Sequence, residues 1–170
     1  MFFNHVNGKC EIIYDEELKQ FRLWYLNFIG GVNEGVNTLG YRQVARTEST
    51  DFLNWTRAEV VLERLNTRFQ THCLPVFYYA GVYLGMPGIW ETMGERRVYT
   101  ELAWSPDTVN WHRINPGTSF IPNSDVKGGH DYGMVLRCIL PLFRDSDEVC
   151  IYVWWLERWG PTSLVTSHAA

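Results

Sequence analysis

The chain lacks any apolar stretch approaching the roughly 20 residues that a helix needs to cross a bilayer; its longest, such as 149–156, stop far short. It lacks a charged start followed by a long apolar centre. Met1-Phe2-Phe3-Asn4-His5 runs straight into polar sequence, so no secretory signal is read, no membrane partner is expected and a cytoplasmic location is. No basic run could neutralise several phosphates, and the net charge of −4 argues against nucleic acid as a partner. No Cys-x-x-Cys pair occurs. Cys10, Cys73, Cys138 and Cys150 each lie in or beside apolar, strand-like runs, which suits buried thiols acting as small hydrophobes. The Gly-rich stretch at 30–35 has no Gly-Lys-(Ser/Thr) ending for phosphates, and there is no Gly-x-Ser-x-Gly elbow for an esterase. His72 beside Cys73 is no thiol dyad, because neighbours on a strand face opposite ways. No His-x-x-x-His spacing offers a metal site, so neither metal nor cofactor is implied.

What the chain has in abundance is aromatic residues, 8 Trp, 9 Tyr and 9 Phe among 170, and a repeated turn. Ser49-Thr50-Asp51-Phe52-Leu53-Asn54-Trp55-Thr56-Arg57 and Ser105-Pro106-Asp107-Thr108-Val109-Asn110-Trp111-His112-Arg113 share the pattern Ser-x-Asp-x-(Leu/Val)-Asn-Trp-x-Arg, 56 positions apart. Each Asp can bond backbone amides ahead of it, and each Asn tolerates unusual dihedrals at a hairpin exit. Trp55 and Trp111 are then expected to begin a strand and to pack between neighbouring sheets. Short β-rich segments recur as well. Tyr14, Phe77 and Phe143 close three of them, spaced 63 and 66 apart, and a turn and a second aromatic strand follow each. Third strands are expected at 41–47 and 98–104, and the Ser-x-Asp turn leads to a fourth. The reading is one all-β domain over 1–170, with units at about 8–62, 71–122 and 130–170: two complete and half of a third.

The strings Phe69-Gln70-Thr71-His72-Cys73-Leu74-Pro75-Val76-Phe77, Gly81-Val82-Tyr83-Leu84-Gly85, Glu101-Leu102-Ala103-Trp104-Ser105-Pro106-Asp107, Phe120-Ile121-Pro122 and His130-Asp131-Tyr132-Gly133-Met134 resemble the five-bladed β-propeller superfamily of glycoside hydrolases, with its invertase-, arabinanase- and mannoside-phosphorylase-like members. The resemblance implies a partial propeller of antiparallel, four-stranded, blade-like sheets. Five blades of about 60 residues would need about 300, so the chain supplies about half a ring. Its open blade faces would be covered by self-association, which makes a homo-oligomer the expected state.

In such a blade, the start of the innermost strand and the loop between strands two and three share one face. That face collects Thr71 and His72, His130 and Asp131, the loop at 86–96 with Trp90 and Glu91, and the segment 157–162 with Trp159. The Ser-x-Asp turns fall on the opposite face and are expected to be structural. Sugar-processing propellers set acids on separate blades, because an oxocarbenium-like state needs both a proton on the leaving group and negative charge opposite. Asp131, Glu91 and Glu101 are the candidate catalytic acids; His72, His130, Tyr132, Trp90 and Trp159 are the candidate substrate contacts. Glu91 would owe its function to the apolar Trp90 beside it, although a solvated loop carboxylate is the better fit. Glu101 either points into a groove or lies exposed at a strand edge, and Asp131 either acts on substrate or closes the Gly128-Gly129 turn. The position matching Asp131 holds Asn7 in the first unit and His72 in the second, which leaves the acid set incomplete. Three functions stay open: a carbohydrate-active propeller relative, glycosidase-like or glycan-binding; a non-catalytic binding or assembly module; and a small β-sandwich binding protein.

Overall fold

A computed structural model of the chain describes residues 10–29, 40–137, 142–144, 148–151 and 153–156. The fold is all-β. Among the described residues there is no helix, and so none long and apolar enough to cross a membrane. Strands β1 (Cys10–Asp15), β2 (Gln20–Ile29), β3 (Tyr41–Ser49) and β4 (Glu59–Leu62) form a four-stranded antiparallel sheet in sequence order. The first turn is closed by Asp15, whose Oδ1 accepts from the amides of Glu17 at 3.0 Å and Leu18 at 2.9 Å. The fourth strand begins at Glu59, not at Trp55; Trp55 instead stacks edge-on against Phe52, centroids 5.4 Å apart, within the turn.

The next strands come in broken pairs. β5 (Phe69–Cys73) and β6 (Val76–Tyr79) are interrupted at Leu74-Pro75; β7 (Val82–Gly85) and β8 (Gly88–Glu91) at Met86-Pro87; β9 (Val98–Thr100) and β10 (Leu102–Ser105) at Glu101. Proline has no N–H to give a ladder, so each proline ends a strand. The breaks lie side by side, and hydrogen bonds cross them: Met86 N donates to the Pro75 carbonyl at 3.0 Å and Glu101 N to the Pro87 carbonyl at 2.9 Å. One long three-stranded ribbon thus bends and feeds two sheets. Past the bend, β6, β7, β10 and β11 (His112–Ile114) make a second four-stranded antiparallel sheet. Before it, β5, β8 and β9 join β12 (Met134–Arg137) and β15 (Val153–Leu156) in a five-stranded sheet ordered β15-β12-β9-β8-β5, while β13 (Leu142–Arg144) pairs with β14 (Glu148–Cys150). The pairing β5/β8 with β6/β7 is matched by β12/β15 with β13/β14.

Two expectations are corrected here. Residues 88–91 are a strand, although 86–96 reads as a loop. The expectation of four-stranded sheets throughout is modified as well, because β12 pairs parallel to β9, with Met134 opposite Val98, and makes a five-stranded sheet. No sheet closes on itself among the described residues.

The main core lies between the two four-stranded sheets. Trp24, Val44 and Leu62 from the first meet Leu74, Val76, Tyr83 and Trp111 from the second, with Ile13 and Val61 at the margin. Trp111 therefore does pack between sheets. Gly85 makes room for it, since a Cβ there would stand 2.5 Å from the Trp111 ring and 2.7 Å from Leu74 Cδ1. Charges line the same interface: Arg22 bonds Asp15 at 3.0 Å, Glu48 at 3.2 Å and the Tyr83 hydroxyl oxygen at 2.9 Å, and Arg46 joins on Glu48.

Candidate functional site

Alternating strand direction brings the start of β5, the end of β8, the start of β9 and the start of β12 to one rim of the five-stranded sheet. Parallel β9 and β12 begin together, and Val98 N donates to the Gly133 carbonyl at 3.0 Å. This rim carries Trp90, Glu91, His130, Asp131 and Tyr132. From β8 to β12 is two strand spacings, roughly 10 Å.

Trp90 and Glu91 are neighbours on β8 and so face opposite sides. Trp90 packs on Cys73, Val98 and Met134. Glu91 turns away to Arg68, which donates through Nη2 at 2.5 Å and Nε at 3.2 Å. Arg68 is held there by its carbonyl, which accepts from Thr92 N at 2.8 Å. The expected influence of Trp90 on Glu91 is replaced by an arginine pair.

Across the rim, the Tyr132 hydroxyl donates to Glu95 Oε2 at 2.6 Å, and the Arg97 guanidinium lies over the Tyr132 ring at 5.0 Å. That hydrogen bond, and then Lys127 at 3.9 Å, hold the Glu95 carboxyl below the usual carboxylate range, and the same bond pushes the Tyr132 phenol up. Asp131 is half-buried and follows a tight turn in which Gly129 N donates to the Val126 carbonyl at 2.9 Å and Tyr132 N to the Gly129 carbonyl at 3.1 Å. Gly129 is required there: a Cβ would stand 2.9 Å from the Val126 carbonyl oxygen. The backbone carbonyl of Asp131 accepts from Asn123 Nδ2 at 3.2 Å. Its carboxylate has no side-chain partner among the described residues. His130 is exposed on the same turn.

A residue absent from the sequence expectations completes the rim. Arg42, on β3 of the first sheet, lays its guanidinium over the Trp90 ring at 3.8 Å and lies 5.3 Å from the Phe28 ring, while its backbone N donates to Gln70 Oε1 at 3.0 Å. Burial lowers its pKa to about 10, and the charge of Arg96, itself 6.0 Å from the Trp90 ring, adds to the shift. The only local hint was the Arg96-Arg97 pair close to Trp90; nothing near Arg42 in sequence marks it.

Two expected residues lie elsewhere. His72 is buried within β5. Glu101 sits at the bend, fully buried, with Oε2 taking Arg113 Nη1 at 2.7 Å and Oε1 taking Gly117 N at 2.8 Å. The alternative of an exposed strand-edge acid is therefore overturned. Arg113 carries the network on to the Thr71 hydroxyl at 2.6 Å and the Glu63 carbonyl at 2.7 Å. Trp159 lies outside the described residues. Among the described residues no three His, Cys, Asp or Glu side chains gather as a metal set.

The twin turns share their Asp-centred bonds, and the second adds one from Thr108 N to Ser105 Oγ at 2.8 Å. Asp51 Oδ1 accepts from Leu53 N at 2.8 Å and Asn54 N at 2.7 Å; Asp107 Oδ1 accepts from Val109 N at 2.9 Å and Asn110 N at 2.8 Å. Phe52 and Thr108 take the same left-handed backbone, with φ of 63° and 70°. Each turn joins the third and fourth strands of a four-stranded sheet.

No family model matches the chain, and no curated protein does. Among solved structures, it is similar to an N-acetylgalactosamine deacetylase from F. plautii, described in complex with blood group B trisaccharide, at 18% identity and a TM-score of 0.60. The likeness covers 85% of this chain and 38% of that one, so the chain spans well under half the length of the protein it matches, and what the two share is an all-β fold.

Proposed function

We propose that the chain is a glycan-binding relative of the propeller-type carbohydrate enzymes, with its sugar site on the rim around Trp90. The observation that carries this reading is the gathering of Arg42 and Arg96 at Trp90 on the expected site face, with Asp131 and Tyr132 on the same rim two strands away. The guanidinium groups of Arg42 and Arg96 and the polar groups of Asp131 and Tyr132 can bond sugar hydroxyls beside the half-buried Trp90. The fold likeness to a carbohydrate deacetylase agrees with it. The paired four-stranded sheets with matching turns, and the matched broken hairpins, support a half-propeller of two and a half blades.

Binding is favoured over hydrolysis by the engagement of the acids. Glu91 is paired with Arg68 and Glu101 with Arg113, which leaves Asp131 as the acid on the rim free to meet a substrate; a glycosidase needs two carboxyl groups at the scissile bond. We also propose that two copies cover each other's open faces. Ile12, Tyr14 and Phe52, 42%, 42% and 49% exposed, lie on or beside the first sheet and suit such a contact.

Glycan-array binding with hydrolysis of aryl glycosides tests the reading. Binding without turnover, abolished by Trp90→Ala, is expected. Turnover dependent on Asp131 would replace the module with a glycosidase, and binding indifferent to Trp90 would remove the site.

A further inference from the structure

We propose that Arg42 and Arg96, gathered around the Trp90 indole, form an oxyanion site that takes the carboxylate or sulfate of an acidic sugar. The acidic-sugar class rests on the glycan reading above; the oxyanion site does not.

A guanidinium stacked on an aromatic ring uses its flat face for the ring and leaves its N–H fork directed sideways, the geometry that grips a planar oxyanion through two bonds. Arg42 is held this way on Trp90 at 3.8 Å, and its Nε is buried with no hydrogen-bond acceptor. A buried donor without an acceptor is costly and calls for a partner. Arg96 brings a second positive charge to the same ring at 6.0 Å. Two like charges converging on one indole repel, and a bound anion would turn that repulsion into attraction. No protein acid does so: among the described residues neither Arg42 nor Arg96 forms an ion pair, while nearby Glu91 is taken by Arg68 and Glu95 by Tyr132 and Lys127. Arg96 also adopts a left-handed backbone, φ 56°, rare for a residue with a Cβ. The strained turn presents its side chain at the rim; strain of this kind collects at ligand clamps.

The test is calorimetric titration of the full chain with tetragalacturonate, its methyl ester, galactose 6-sulfate, galactose and inorganic sulfate. Tetragalacturonate is expected to bind tenfold or more tightly than its ester, with affinity falling as salt rises. Arg96→Gln, at an exposed position, is expected to weaken the acid about tenfold and the ester far less, because glutamine keeps a hydrogen-bonding side chain but loses the charge. Arg42→Lys keeps the charge but loses the planar fork, and is expected to weaken it similarly. Stronger binding of galactose 6-sulfate than of tetragalacturonate would identify a sulfated sugar as the source of the oxyanion. Equal affinity for acid and ester, or an unaltered Arg96→Gln, overturns the anion site and leaves the glycan reading standing. Binding of inorganic sulfate that is lost in Arg96→Gln, with no binding of any sugar, supports the anion site and overturns the glycan reading. Silence from every probe overturns both.

Discussion

Ala80 and Gly81 occupy a two-residue hairpin between β6 and β7, with φ of 48° and 85°. Both angles are positive, as a type I′ turn requires, and Gly81 meets this at no steric cost whereas Ala80 carries a Cβ. Ala80→Asn, which makes the favoured Asn-Gly pair, is expected to stabilise the fold by about 0.5–1 kcal/mol, seen as a Tm rise of about 1–4 °C. Glu101 presents the opposite case. Its carboxylate is buried against Arg113, so Glu101→Gln leaves a guanidinium without its counter-charge and is expected to cost about 3 kcal/mol or more in chemical denaturation. Addition of Arg113→Met should recover part of that loss if the pair acts as a pin. The Asp–amide bonds of the twin turns were legible in the sequence because they close within three residues. Arg42 was not, since the rings it touches, Phe28 and Trp90, come from distant positions that only the packing of two sheets unites.

The Ser-x-Asp turn is a self-contained element with its own acid response. Hydrogen bonds from the backbone of Asn54 and Asn110, first among several, hold the Asp51 and Asp107 carboxyls well below the ordinary value of 3.8. A carboxyl whose pKa is lower in the folded state contributes stability above its unfolded pKa and loses it as pH falls toward the folded one. Stability should therefore hold from neutral pH to about pH 4 and decline below it, and the double variant Asp51→Asn/Asp107→Asn should flatten that decline in acid titrations followed by circular dichroism. The broken strands were harder to read. A proline in a β-rich run normally ends a strand, and the loop expected at 86–96 for its place between second and third strands holds the strand Gly88–Glu91 instead. What composition could not reveal is that Pro75, Pro87 and Glu101 stand side by side, so the ribbon bends as a unit and continues.

At the scale of the whole molecule, the all-β class and the strand order of the first sheet were evident from alternating apolar residues and turn chemistry. The five-stranded sheet was not, because parallel pairing of β9 with β12 joins strands separated by the whole segment 101–133 and leaves no local mark. The self-association proposal also belongs here. Sedimentation equilibrium at micromolar concentration is expected to report a dimer, and Tyr14→Ser with Phe52→Ser to shift it toward monomer; a clean monomer for the unaltered chain would remove the proposal.

The parallel seam between β9 and β12 also sets a schedule. Hairpins such as β1/β2 and β6/β7 close across short turns, whereas β12 can dock only after the chain has run out along β10 and β11 and returned, a closure with a larger entropic cost. The rim is thus expected to be completed late. Pulsed hydrogen exchange during refolding should find the amides of β2 and β3 protected before those of β12, so that Asp131 and Tyr132 join the rim that carries Trp90 only in a late step of folding.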